Sequence, residues 1–170
     1  MCILCCAAAV LSCAEKKSRY EAIQAEKKLV LGTCADYPPY EFHTQKDGQD
    51  TIVGFDVEIA RAIAEDLGAE LIVRDMDFDG LLAALVSGSV DMVLAGMTPT
   101  DERRQNVDFT DIYYTAEQGI IIRKSDEEKY GTSAASLKDT LIGAQRGTIQ
   151  VGIAKKEIKG VSDADAEKPH

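Results

Sequence analysis

Apolar residues in this chain come in two spacings, short continuous runs and helical stripes, and the two alternate from residue 28 onward. The first run, Leu29-Val30-Leu31, predicts a strand over 28–33, and further strands follow over 70–74 and 90–94. Between the first two, Val57, Ile59, Ala60, Ile63, Ala64 and Leu67 recur at helical spacing. They predict a helix over 56–67 with Asp56 as its N-cap and Gly68 at its C-cap. Leu81, Leu82, Leu85 and Val86 predict the inward face of a second helix over 80–87, stopped by Gly88. An order of β-α-β-α-β implies a parallel sheet with right-handed crossovers, hence an α/β fold.

The segments between and after these elements are less regular. Residues 34–39 form a loop that its two prolines keep out of the sheet, and 42–53, with Lys46-Asp47-Gly48 inside, reads as a hairpin. A third helix is expected over 101–107, an extended run over 108–114, and strands over 119–123 and 141–144, the latter ending at Gln145-Arg146-Gly147-Thr148. Residues 14–26 are polar and read as a tether, and 160–170 are polar and patternless. Ligands on parallel sheets bind beyond the carboxyl ends of the strands. Tyr37, Phe78 and Thr98 all fall just past such ends, so one crevice can collect them.

Composition narrows the function classes. At 170 residues the chain is long enough for a substantial core, and 45% hydrophobic with 28% charged residues is the composition of a soluble globular protein. A formal net charge of −10 argues against nucleic acid or an anionic membrane as partner and fits capture of cationic solutes. Four of the five cysteines lie within residues 1–13, leaving Cys34 alone in the body of the chain, so neither a disulfide framework nor a zinc site is expected. No P-loop, dinucleotide fingerprint or metal-ligand pair occurs, and no cofactor is expected. Residues 3–11 are apolar but too short to span a bilayer. Val10-Leu11-Ser12-Cys13 looks like a bacterial lipobox with Cys13 as the lipidated residue, although no basic residue precedes the apolar run.

Residues 95–110 carry the densest chemistry: Gly96, the Thr98 hydroxyl, a helix start at Thr100-Asp101-Glu102, and the Arg103 guanidinium one turn in. A guanidinium is a planar fork suited to a carboxylate, and strand-end backbone groups complement an ammonium. Together they suit the α-carboxylate and α-ammonium of a free amino acid.

From about residue 28 to 153, the order of landmarks closely resembles bacterial extracellular solute-binding proteins for polar amino acids, the capture subunits of ABC importers. The landmarks are Gly32-Thr33 with Tyr37-Pro38-Pro39-Tyr40-Glu41-Phe42, then Gly54-Phe55-Asp56-Val57-Glu58 and Gly88-Ser89-Val90-Asp91. Thr98-Pro99-Thr100-Asp101-Glu102-Arg103, Phe109-Thr110-Asp111 and Gln145-Arg146-Gly147-Thr148 follow. The resemblance implies a two-lobed periplasmic binding protein of type II, closing like a Venus flytrap. Its first lobe, over 27–113, is nearly complete, a crossing follows at 114–118, and a partial second lobe spans 119–170.

By the same resemblance Arg103 pairs with the ligand carboxylate, helped by the backbone N–H of Thr98 and of Thr148 or Ile149. The Gly96 carbonyl and Thr98 hydroxyl take the ammonium, and Tyr37 and Phe78 sandwich the side chain. Glu41 and Asp36 are expected as solvated loop carboxylates. Many relatives carry an acid or amide where this chain has Cys34, which weighs against arginine, lysine or histidine as ligand. The resemblance fades after Ile153, as in a truncated member. It implies a non-catalytic, monomeric, lipid-anchored protein at the cell surface or in the periplasm, delivering a polar L-amino acid to a permease. Two other readings are a cyclohexadienyl dehydratase-like enzyme on the same scaffold and a sensor domain fragment. The first needs a titratable base in the crevice, and His43 and His170 are the sole histidines. The second needs a spanning helix and a signalling domain, which the sequence does not show.

Overall fold

The computed structural model describes residues 18–130 and 133–160. A central strand, β1 (Lys28–Thr33), lies between β5 (Glu70–Asp75) and β6 (Met92–Val93), and both neighbours run parallel to it. Its apolar run follows from that position, because a strand covered on both faces has no side to give to polar residues. Leu29 and Leu31 are buried on one side together with Val57, Ala60 and Ala64 of α2 (Phe55–Asp66). On the other side Gly32 lets α3 (Leu81–Ser87) come close: a Cβ there would lie 3.2 Å from both methyls of Val90 and 3.4 Å from Leu81. The β-α-β-α-β order expected over 28–94 is the order found in this parallel sheet and its two helices.

Strand β6 is shorter than the expected 90–94 because Asp91 intervenes. Its carboxylate accepts the Val30 N–H at 2.7 Å while its own N–H donates to the Val30 carbonyl at 2.8 Å. The same carboxylate pairs with Arg19. Arg19 belongs to α1 (Arg19–Glu26), a helix where the polar composition suggested a tether. Ser18 and Glu21 form its capping box, and Ile23 enters the core against Leu29 and Ala64.

The excursion after β1 is a second, antiparallel sheet of β2 (Asp36–Tyr37), β3 (Glu41–Lys46) and β4 (Gln49–Val53). Its two-residue turn, Asp47 and Gly48, has φ of 52° and 77°, as a primed hairpin turn requires. Helix α2 starts at Gly54 rather than at a side-chain cap. Gly54 has φ 136°, and a Cβ there would sit 2.1 Å from the Tyr40 carbonyl oxygen, so the hairpin and the helix meet at a position open to glycine alone. Asp56, expected as the cap, is turned inward instead. Val86, expected inward on α3, is 64% exposed, and Leu81 provides that helix's buried contact.

Helix α4 (Asp101–Arg104) is capped by Thr100 and ends three residues before the expected limit. Beyond it come α5 (Glu127–Tyr130) and α6 (Ile149–Ile153), which continues as a π turn over Ala154–Ile158. The strands expected over 119–123 and 141–144 do not form: both segments lie outside any ladder, and Ile121 and Leu141 are fully exposed. An extended apolar run becomes a strand only when a neighbour takes its backbone groups. Among the described residues these two runs instead line an open slot of about 850 Å³. No described helix is long and apolar enough to cross a membrane.

Candidate functional site

The carboxyl ends of β1 and β6 open onto a cavity of about 290 Å³. All seven residues expected at the site, Tyr37, Phe78, Gly96, Thr98, Arg103, Thr148 and Ile149, line it. Gly96 has φ 53° and lies under the Tyr37 ring, where a Cβ would come within 3.2 Å of the ring edge. Tyr37 in turn stacks on Tyr40, with centroids 4.9 Å apart, and Tyr40 meets the edge of Tyr114.

Arg103 reaches into the cavity past Phe78, its guanidinium carbon 5.6 Å from the ring centroid. It donates to the carbonyls of Thr98 at 2.6 Å and Gly147 at 2.9 Å. None of the ion pairs among the described residues involves it. Burial lowers its pKa from the ordinary arginine value, outweighing the nearby Glu102. A guanidinium has five N–H donors, so three stay available for an anion.

The Gln145-Arg146-Gly147-Thr148 turn clamps one wall of the cavity. Gln145 donates to Asp36 at 2.9 Å and Arg146 pairs with Asp79 at 2.6 Å. Gly147, at φ 79°, packs so closely that a Cβ would sit 2.7 Å from the Asp79 Cβ.

The acidic side of the cavity departs most from expectation. Asp36 lines it as an acceptor for Gln145, and Glu41, expected in solvent, is 1% exposed in its floor. Asp56 lies behind, fully buried, and its Oδ2 accepts the Gly96 N–H and the Tyr113 hydroxyl, each at 2.9 Å. Burial first, and Asp56 second, push the Glu41 carboxyl up to about 9. Burial, then Asp56, also raises the pKa of the Tyr113 hydroxyl. Two signals for this floor stood in the sequence: Glu41 opens a strand whose residues alternate inward and outward, and Gly54 brings α2 against it. Neither says that an inward position holds an acid.

Cys34 directly follows β1 as a small buried residue and lines the cavity. Burial and the adjacent Asp36 push its thiol up to about 11, so it is protonated at neutral pH and a poor nucleophile. His43 is not among the cavity-lining residues; from the hairpin it bridges Asp50 of β4 and Asp75 at the end of β5. No group of described residues is suited to a metal ion. Cys13 lies outside the described residues.

The cavity at the strand ends thus joins a guanidinium held only by carbonyls among the described residues, an acidic floor and aromatic walls, on an α/β first lobe with part of a second. Residues 29–163 match the bacterial extracellular solute-binding proteins, family 3, and the chain belongs to that family. It is 47% identical over 146 residues to the arginine-binding extracellular protein ArtP of Bacillus subtilis, covering 86% of this chain and 54% of that protein. An amino acid ABC transporter substrate-binding protein from Streptococcus pneumoniae, solved bound to L-arginine, superposes with a TM-score of 0.80. The identity there is 39%, with 84% of this chain and 59% of that one covered. The arginine-bound form of domain 1 from TmArgBP gives a TM-score of 0.51 at 43% identity, over 55% of this chain and 71% of that one. The chain spans about half the length of the curated relatives it matches. The pneumococcal protein and the ArgBP of T. maritima have the two-lobed type II periplasmic-binding fold, of which this chain holds the first lobe and part of the second.

Proposed function

We propose that this chain is a non-catalytic capture protein for a basic L-amino acid, arginine foremost, which it holds outside the cytoplasmic membrane for an ABC permease. The observation that carries the reading is one cavity combining the unpaired Arg103 fork with the acids Asp36 and Glu41, between Tyr37 and Phe78. Arg103, with the backbone N–H of Thr98 and of Thr148 or Ile149, takes the α-carboxylate. The Gly96 carbonyl and Thr98 hydroxyl take the α-ammonium. The acids face the basic end and supply the charge that Cys34 does not. ArtP and the pneumococcal protein are an arginine binder and an arginine complex, and domain 1 of TmArgBP holds arginine by itself.

A thermal-shift screen of the twenty amino acids tests this, since a ligand of the folded state alone raises the melting temperature. Arginine is expected to give the largest shift, with lysine and histidine following. A larger shift with a neutral or acidic amino acid would overturn the assignment to a basic ligand.

The lipid anchor belongs to the same reading, on the strength of Val10-Leu11-Ser12-Cys13. Expression in a diderm bacterium should yield a product that begins at Cys13 and partitions into detergent. Partitioning that survives Cys13→Ser would remove Cys13 from that role. The folded unit works as a monomer.

A further inference from the structure

Two carboxyl groups, one in the cavity floor and one behind it, come from different elements and are pinned together by backbone bonds. Glu41 opens β3 and Asp56 sits in the first turn of α2. The Asp56 N–H donates to the Tyr40 carbonyl at 2.9 Å, and the Phe55 N–H donates to the Pro39 carbonyl at 3.0 Å, so neither carboxyl can retreat from the other. Both are buried, at 1% and 0% exposure. Glu41 Oε2 and Asp56 Oδ1 have no hydrogen-bond donor among the described residues, and the two groups are within hydrogen-bond reach of each other.

Two facing acceptors without donors are satisfied by one proton, and two ionised carboxylates that close in a low dielectric are not tolerated. Arg103 lines the same cavity, but among the described residues no cation pairs with either carboxyl. Asp56 Oδ2 faces the Gly96 N–H and the Tyr113 hydroxyl, Asp36 on β2 adds negative potential, and Tyr40 contributes a phenol whose pKa the hydrogen bond to Tyr114 raises. None of the ion pairs among the described residues reaches Glu41 or Asp56.

We propose that Glu41 and Asp56 share one proton in the empty cavity, and that the basic end of the incoming ligand replaces it, so that capture releases a proton to solvent. This rests on the basic-ligand reading above. Glu41 gives up the proton to bulk buffer and keeps the O–H electron pair as carboxylate, while the ligand arrives and stays protonated. The elevated Glu41 pKa, about 9, keeps the proton in place at neutral pH until the ligand's charge offsets the pair.

Calorimetric titration of L-arginine into the 170-residue chain near pH 7, in phosphate and in Tris, reads the released proton from the dependence of heat on buffer ionisation enthalpy. The expected result is about one proton per ligand, with Kd tightening about tenfold per pH unit between about pH 6 and 8. In Glu41→Gln both the proton release and the pH slope should vanish. Should that variant not fold, carboxyl-carbon NMR of the ligand-free chain must show a Glu protonated near pH 7 that ionises on arginine addition. Binding with no proton exchange, an unchanged slope in Glu41→Gln, or every Glu ionised in the empty chain near pH 7 would overturn the shared proton and leave the binding function standing. Failure of arginine, lysine and histidine all to bind would overturn the function, and this inference with it.

Discussion

Replacing Arg103 with alanine tests the core of the site. The guanidinium holds two carbonyls, those of Thr98 and Gly147, and has no carboxylate partner among the described residues. Its remaining donors can form a bidentate pair with a ligand carboxylate without breaking either bond. Losing one partner of such a pair costs about 2–5 kcal/mol, and partial solvent access at Arg103 places this case near the lower end. A loss of about 2–3 kcal/mol corresponds to roughly thirty- to a hundred-and-fifty-fold in Kd. Calorimetry with L-arginine measures the loss, and agmatine, which is arginine without its carboxylate, isolates the contact. The unaltered chain should prefer arginine to agmatine by a similar factor, and Arg103→Ala should prefer neither. Loss of the two carbonyl bonds also costs about 1 kcal/mol each in stability, which a urea melt records separately. If Arg103→Ala binds arginine within about threefold of the parent, or keeps the preference over agmatine, Arg103 does not hold the carboxylate.

Three further outcomes follow from packing and charge. Leu31 is fully buried, so Leu31→Ala should cost about 2–5 kcal/mol in urea unfolding, while Leu141→Ala, at a fully exposed site, should stay within about 0.5 kcal/mol; equal effects would contradict the assigned core. Gly147→Ala forces a left-handed φ on alanine and a 2.7 Å approach to Asp79, so it should destabilise by at least about 1–2 kcal/mol. Gly143→Ala, with nothing within 4 Å, is the control, and indistinguishable melts would show that the clamp does not form. His43 is held up from its ordinary 6.5 by hydrogen bonds to Asp75 and then Asp50, so its stabilisation is full below that value and is lost as pH rises through the raised one. The melting-temperature deficit of His43→Asn should therefore be larger near pH 5.5 than near pH 8.5, and the reverse trend would remove the bridge.

The sequence determined what depends on neighbours along the chain. Spacing in 56–67 marked α2, the run at Leu29-Val30-Leu31 marked the central strand, and Asp47-Gly48 marked a hairpin turn, because each element's periodicity or turn chemistry is local. The order of the landmarks also placed seven lining residues at strand and helix ends, where an α/β sheet gathers them. Tertiary structure decided the rest. Ser18 and Glu21 form a local capping box, but that Ile23 packs on the sheet was hidden in a polar stretch. Whether 119–123 and 141–144 become strands depends on backbone partners distant in sequence, so apolar character alone misled. The strand alternation that turns Glu41 inward does not say that it meets Asp56. That meeting arises because Gly54 lets α2 meet the Tyr40 carbonyl, and a contact across that seam buries Glu41, which looks solvated in sequence, in the cavity floor with Asp56, which looks like a helix cap, behind it.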